Sequence, residues 1–344
     1  MNNMNLKKNV SLADYSTMHL GGSVKYLVEI ENEEMLISAL SWAKAQKLEV
    51  IMIGKGSNVI WKDEGFNGLL LVNLIKGFEV TDQGNNSKVR IASGEIWDDA
   101  VYKSVSLGLS GIEALSLIPG TAGATPIQNV GAYGQEIAQT LESLEAFDIN
   151  SNQMISLTNP ECHFSYRNSI FKEKPNNYYI TAITLNLTKN YMKTPFYPSL
   201  DRYLKQNNIN DYSPVNIRNA VIDIRNQKLP NPKDYYNCGS FFANPVLSKE
   251  EFSLLKQKTL EEIPAWEVKN GVKLSAAWLI EKAGYKNYHD PITGMSTWKN
   301  QSLVLVNDFA SKTASLITFR DQIKAKVAEI FDIELIQEPL MLPY

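Results

Sequence analysis

The sequence predicts an α+β protein rather than a doubly wound parallel sheet, on three observations. In the strand from Tyr179 to Leu187, Ile183, Leu185 and Leu187 alternate with Thr184, Asn186 and Thr188, so one face meets water, which a sheet covered on both sides by helices does not allow. The apolar strand Val50 to Ile53 runs into Gly54-Lys55-Gly56-Ser57-Asn58 and then Val59-Ile60-Trp61, with none of the long helix that a βαβ unit requires. Pro230 and Pro232 mark a boundary, after which a new set of elements begins.

The elements follow in order. Asn32 before Glu33 and Glu34 opens a helix with Met35, Leu36, Ala39, Leu40 and Ala43 on one side. Past Lys76 come a strand from Lys88 to Ala92, a helix from Glu95 to Leu107, a Gly-rich stretch, and strands from Leu141 to Ile149 and Tyr179 to Leu187. Residues 189–212, with Pro195, Pro198 and several aromatics, read as a loop carrying a short helix. Ser213-Pro214 starts a helix whose Ile217, Val221 and Ile224 share a face. In the last part Ser248 with Glu251 is a capping box, Leu274 to Ala283 reads as a helix stopped by Gly284, and Ser302 to Val306 as a strand. Leu316, Ile323, Val327 and Ile330 form a helical stripe.

Composition narrows the function classes. The chain has 344 residues, a net charge of −3 and 44% hydrophobic residues, the profile of a globular protein of two or three domains. A sequence-independent nucleic-acid binder would need a basic face, so no nucleic-acid partner is expected. No apolar run is long enough to span a bilayer and the first residues lack a leader-like apolar stretch, so neither a membrane partner nor secretion is expected. Two cysteines, Cys162 and Cys238, fit a reducing cytoplasm. With only three histidines besides, no metal site is expected.

The most informative segment is LIPGTAGATPIQNVGAYGQEI, from Leu117 to Ile137. Between Gly111 and Gly134 lie five of the 19 glycines, and Glu113 is the only charged residue. Such a loop lets backbone N–H groups approach a phosphate or a flat ring, while proline stiffens it. A buried loop crossing between layers is the plainer alternative. The Gly54 to Asn58 turn lacks the ending of a P-loop, and an ordinary β-turn reads it equally well.

Four further stretches mix polarity with aromatics. Arg167, set among Phe164, Tyr166, Ile170 and Phe171, is expected to be partly buried and to need a carboxylate, a ligand or carbonyls. Ser240, between Gly239 and Phe241-Phe242, has no adjacent histidine base, so it suits proton donation or anchoring better than nucleophilic attack. Arg225 and Lys228 lie at a helix end, where the macrodipole favours cations, solvated end charges being the alternative. Glu338 sits in an apolar tail segment, with Glu334 the other acid there.

Taken together, these stretches resemble the UDP-N-acetylenolpyruvoylglucosamine reductases, and the resemblance runs from about Tyr15 to Pro339. It rests on Ser16-Thr17-Met18-His19-Leu20-Gly21-Gly22, Gly54 to Asn58, Ile118-Pro119-Gly120 through Pro126-Ile127-Gln128-Asn129-Val130-Gly131-Ala132-Tyr133-Gly134, Tyr166-Arg167-Asn168-Ser169, Gly239-Ser240-Phe241-Phe242 with Asn244-Pro245, and Lys273-Leu274 with Ala277 to Ile280. The tail departs from the family pattern: Leu335-Ile336-Gln337-Glu338 stands where Leu-Glu-Pro-Glu is usual, which leaves Glu338 as the matching acid. Ala122 and Thr125 replace residues more often valine and alanine or serine.

The resemblance implies a two-subdomain FAD-binding fold of the vanillyl-alcohol-oxidase (PCMH) type, followed by an α+β substrate-binding domain. Residues 1–75 would form the first FAD-binding subdomain, 76–229 the second with its loop at 189–212, 230–337 the substrate-binding domain, and 338–344 a tail returning to the active site. It implies one non-covalent FAD, NADPH as reductant, and the enolpyruvyl ether of UDP-N-acetylglucosamine as acceptor, acted on by a monomer. Arg167, Ser240 and Glu338 would be catalytic, with Ser240 the proton donor. Cofactor contacts would come from Gly54, Lys55, Gly56, Ser57, Asn58, Pro119, Gly120, Gly123, Pro126, Asn129, Gly131, Ala132, Tyr133 and Arg225. Tyr166, Tyr197, Lys228, Asn244 and Gln301 would contact the substrate, Tyr197 from a covering loop. Another flavin oxidoreductase of the same fold, or a non-enzymatic nucleotide-binding module, are the alternative functions.

Overall fold

The computed structural model describes residues 4–259 and 261–344. The described residues form two compact units, one of residues 4–10, 24–56 and 67–227, the other of 11–23, 57–66, 228–259 and 261–344. Residues 11–23 and 57–66, which the sequence reading groups with the first subdomain, therefore pack with the C-terminal unit. Their partners are distant in sequence: Val59–Trp61 pairs in parallel with the tail strand Leu340–Leu342, and Asp63 accepts from the amides of Thr313 and Ala314.

The first unit contains two sheets. One orders Lys7–Ser11, Ser23–Ile30, Phe66–Asn73 and Val50–Ile53, the last two parallel, and it is covered by the helix Glu33–Ala45 through Leu36, Ala39, Leu40 and Ala43. Asn32 caps that helix, its side chain accepting from the Met35 amide. The other sheet is antiparallel, in the order Gln153–Thr158, Leu141–Asp148, Tyr178–Thr188, Asn86–Ala92 and Phe78–Gln83. In its central strand Ile183, Leu185 and Leu187 are buried while Asn186 is exposed, the alternation expected from the sequence. Against it lie the helix Trp97–Ser106 and the Gly-rich segment. Phe196, Leu200, Leu204, Ile217 and Val221 form a separate small core that docks segment 189–212 on the helix Pro214–Lys228.

The second unit has a sheet of Tyr236–Ser240, Gln301–Asn307, Met295–Trp298 and His289–Asp290, a three-stranded sheet of Val246–Leu247, Gly271–Leu274 and Ala265–Val268, and the helix Thr313–Phe331. Phe241, Phe242, Phe319 and Leu279 are its fully buried centre. The Ser248–Glu251 capping box is formed. Two local expectations are corrected. Leu274 closes a strand, opposite Ala265, and the helix starts only at Ala276 because the Ser275 side chain caps it. Ile330 is 43% exposed, so the apolar stripe of the last helix is Leu316, Ile323 and Val327, one turn shorter.

Candidate active site

In the first unit the Gly-rich segment is a folded wall rather than an open loop. Short 3-10 turns at Glu113–Leu115, Ala122–Ala124 and Ile137–Gln139 alternate with a two-stranded hairpin, Gly131–Ala132 with Gln135–Glu136. Its turn residues Tyr133 and Gly134 both have positive φ, 48° and 87°, as a two-residue hairpin of right-handed twist demands. Glu113, the one charged residue between Gly111 and Gly134, is fully buried and accepts from the Ser110 hydroxyl and the Gly111 amide, so it fixes the entry to the wall.

At Gly54 and Gly123 the protein's own atoms leave no room for a side chain. A Cβ on Gly54 would lie 2.3 Å from Thr121 Oγ1, and one on Gly123 would lie 2.4 Å from Ser93 Cβ. Asn129 is likewise occupied: its side chain donates to Glu136 and to the Ser165 carbonyl and accepts from the Ala138 amide. Its contribution to the wall is therefore to hold it. The Gly54 to Asn58 turn straddles the division between the units, Ser57 and Asn58 belonging to the second, where the Asn58 carbonyl accepts from the Leu340 amide.

The Tyr166-Arg167 pair forms the tip of a tight turn closed by reciprocal backbone bonds between Ser165 and Asn168. Arg167 adopts φ 54°, a conformation that a non-glycine residue keeps only where its surroundings fix it. Three bonds do so: Arg167 donates to the Gly131 carbonyl at 3.1 Å, Ser169 Oγ to the Ile127 carbonyl at 2.6 Å, and Asn129 to the Ser165 carbonyl at 3.2 Å. The turn is thus locked to the wall, with the guanidinium half-buried as expected and Tyr166 exposed.

Arg225 is not a solvated end charge. Burial pulls its pKa below the usual arginine value, opposed by the Tyr133 phenol and by Asp98. Its Nε is buried without a hydrogen-bond partner, and so is the side-chain Oε1 of Gln128 inside the wall. Burial likewise raises the Tyr133 hydroxyl, against the pull of Arg225, from which it takes a hydrogen bond. Tyr197 stands edge-on to Tyr133, ring centroids 6.0 Å apart, and heads the short helix Pro198–Gln206.

In the second unit Ser240 ends the strand Tyr236–Ser240 just after an irregularity in its pairing with Gln301–Asn307. Gly239 makes this possible with φ 75°, and its amide is held by the Asn237 side chain at 2.9 Å. Such a bulge re-aims the side chain that follows it. Cys238, Phe241 and Phe242 anchor the strand in the core, while Ser240 stays half-exposed. The tail docks on the same stretch. Phe242 bridges Gln337, the Ala243 amide donates to Ile336, and the Glu338 amide donates to the Phe241 carbonyl at 2.9 Å. Glu338 is buried beside this stretch, and its charge helps burial push the Cys238 thiol up. Glu334 instead points outward to Lys324 at 3.3 Å, its side chain 80% exposed.

The remaining sequence candidates are spread. The Asn244 side chain accepts from the Ala276 amide at 3.0 Å, which makes it a brace for the helix Ala276–Ile280. Gln301 opens its strand opposite Trp298, and Lys228 is the exposed last residue of its helix. Sequence reasoning did not single out Asp98, and it reached Gln128 only as part of the motif from Pro126 to Gly134. Asp98 is signalled only by its place in the first turn of a helix facing Arg218.

These features define a class: a flavin-dependent oxidoreductase, with an FAD binding domain matched at residues 24–157 and a distinct C-terminal domain. That second part, residues 231–342, matches the C-terminal domain of UDP-N-acetylenolpyruvoylglucosamine reductase. Reductases of that name from Aliivibrio fischeri and Thermobifida fusca are 35% and 37% identical, covering 97% of this chain and 94% and 97% of theirs. The crystal structure of the Thermus caldophilus enzyme shares the fold, with a TM-score of 0.68 at 21% identity over 99% of this chain and 100% of that one. The chain belongs to the UDP-N-acetylenolpyruvoylglucosamine reductase family. Its fold class is the one the resemblance implies, an FAD-binding domain followed by an α+β C-terminal domain. Among the described residues no helix is long and apolar enough to cross a membrane, and no group of histidine, cysteine and carboxylate side chains could hold a metal ion.

Proposed function

We propose that this chain reduces the enolpyruvyl ether of UDP-N-acetylglucosamine to UDP-N-acetylmuramate, with NADPH as reductant and one non-covalent FAD, supplying peptidoglycan precursors in the cytoplasm. The family supports the reaction class, and the constrained Arg167 turn is the observation that carries the assignment. That turn fixes a guanidinium against the wall through three bonds, one of them made by the Arg167 side chain itself, so the position calls for arginine although its φ of 54° would suit a glycine.

The residues fit a flavin. An orphaned, buried guanidinium nitrogen on Arg225 and an orphaned side-chain oxygen on Gln128 call for an anion and a donor, which a dinucleotide diphosphate and a flavin ring contain. Bound FAD would supply the two-electron transfer between the nicotinamide and the vinyl carbon. The Gly54 to Asn58 backbone and Arg225 would hold its diphosphate, and the Pro119 to Ala132 wall its ring. Arg167 would stabilise the negative charge that builds on the substrate carboxylate, a fixed cation gaining strength where water is excluded. Ser240 would deliver the proton to the carbon beside that carboxylate. The resulting carbanion is basic enough to take a proton from so weak an acid. Glu338 would assist that delivery, and Lys228 and Tyr197 would contact the substrate diphosphate.

Anaerobic addition of the enol ether to photoreduced enzyme tests this reading. Return of the oxidised flavin spectrum with formation of the lactyl ether supports it. A flavin that NADPH bleaches and the enol ether leaves bleached would mean a different oxidoreductase.

A further inference from the structure

One carboxylate in the first turn of the helix Trp97–Ser106 gathers two elements of the first unit. Asp98 Oδ1 accepts from the Leu117 amide at 2.6 Å and from Arg218 Nη1 at 2.6 Å, and its Oδ2 accepts from Arg218 Nη2 at 2.8 Å. The pair is a two-point fork, Arg218 is 8% exposed, and the Tyr102 ring lies 5.6 Å from its guanidinium. Burial pushes the Asp98 carboxyl up, but Arg218, the Leu117 amide and Arg225 together hold it below the usual aspartate value.

Each partner leads to one side of the flavin assignment. Leu117 sits at φ 57°, in the left-handed region, two residues before Pro119. The adjoining Trp97 grips the same run, its amide donating to the Gly120 carbonyl at 3.1 Å and its indole to the Leu115 carbonyl at 3.0 Å. On the helix Pro214–Lys228, Arg218 and Arg225 are seven residues apart, two turns, and so lie along one side. Holding Arg218 therefore fixes the rotation of the helix that presents Arg225, and Arg225 in turn reaches the Tyr133 hydroxyl in the wall.

We propose that Asp98 is a positioning residue for the flavin: a single carboxylate sets both the conformation at which the wall begins and, through Arg218, the place of the Arg225 guanidinium. This rests on the assignment of that wall and Arg225 to FAD made above.

Asp98→Asn tests it, because the amide keeps an acceptor for Leu117 and loses the charge that orients Arg218. In the full chain stripped of FAD and titrated with FAD, the dissociation constant should rise about tenfold, as for outer groups that orient a binding residue. The visible circular dichroism of the bound flavin should change with it. Arg218→Lys, which keeps the charge and loses the fork, should move the same spectrum in the same sense by less, and it carries the test if Asp98→Asn does not fold. Asp98→Asn combined with Arg225→Met should bind FAD no more weakly than Arg225→Met alone, the non-additivity of residues acting through one another. A lowered melting temperature with unchanged FAD affinity and unchanged flavin dichroism would reduce the pair to a stabilising salt bridge and overturn the proposal, as would independent effects in the double variant. Unchanged FAD affinity in Arg225→Met would overturn it for a different reason, that Arg225 does not serve the flavin.

Discussion

The Arg167 guanidinium donates to the Gly131 carbonyl at 3.1 Å, from a residue held at φ 54°. The backbone of the wall therefore helps to aim the cation, through the hairpin at Gly131–Ala132.

Replacing Arg167 by lysine should leave flavin reduction by NADPH within about twofold of wild type and slow reduction of the enol ether by roughly 100-fold, since a point charge does not reproduce the planar fork. Stopped-flow measurement of the two half-reactions separates the effects. Equal losses in both would mean that the turn supports the fold alone.

Ser240→Ala should show the same asymmetry, with substrate reduction slower by at least ~100-fold, the scale of a lost general acid. The bulge provides a companion. Gly239→Ala meets no steric obstacle but must hold φ 75°, so it should slow the same half-reaction by misdirecting an intact serine hydroxyl.

Gly54→Ala should destabilise the first unit by about 1–3 kcal/mol, because the new methyl meets the Thr121 side chain. Thermal unfolding with and without FAD checks this, and Thr121→Ala added to Gly54→Ala should return part of the loss.

Acid should expose the Asp98–Arg218 pair. The Asp98 pKa is lowered in the folded chain, so its contribution is fully present above the ordinary aspartate value of 3.8 and is lost as pH falls through the lower folded one. The stability gap between wild type and Asp98→Asn should be constant near neutrality and close below pH 3.8. A gap that closes between pH 8 and pH 6 would assign the effect to another group.

Tyr197→Phe removes a hydroxyl whose pKa burial raises, and keeps the ring against Tyr133. The substrate KM should rise roughly tenfold, the worth of one hydrogen bond to a charged group, with NADPH-driven flavin reduction unchanged. A normal KM would leave Tyr197 a packing residue of its loop.

What the sequence made legible was local. The Asn32 cap, the Ser248–Glu251 box and the alternation after Ile183 each lie within a few residues, so propensity and pattern suffice to read them. Glu338 was set apart from Glu334 by the resemblance of the tail alone; its burial comes with contacts to Phe241 and Phe242, distant strand residues that no spacing rule reaches. The same is true of residues 57–66, whose partners are the tail and the last helix. Arg225 was legible as a cation but not as a buried one, because its surroundings come from Tyr133 and Asp98 on other elements. At Gly54 and Gly123 the space that a Cβ would need is taken by Thr121 and Ser93, neighbours that lie far along the chain and that the local sequence does not reveal.

The parallel pairing of Val59–Trp61 with Leu340–Leu342 sets an order of events during synthesis. Val59 must wait for Leu340, 281 positions later (340 − 59), and at about 5–20 residues per second that interval is roughly 15–55 s. Through it Ile60 and Trp61, both fully buried in the finished protein, have no completed unit to enter. A nascent chain stalled before Leu340 would thus hold apolar side chains from its early part in a form that chaperones recognise, and release would coincide with the arrival of the strand Leu340–Leu342.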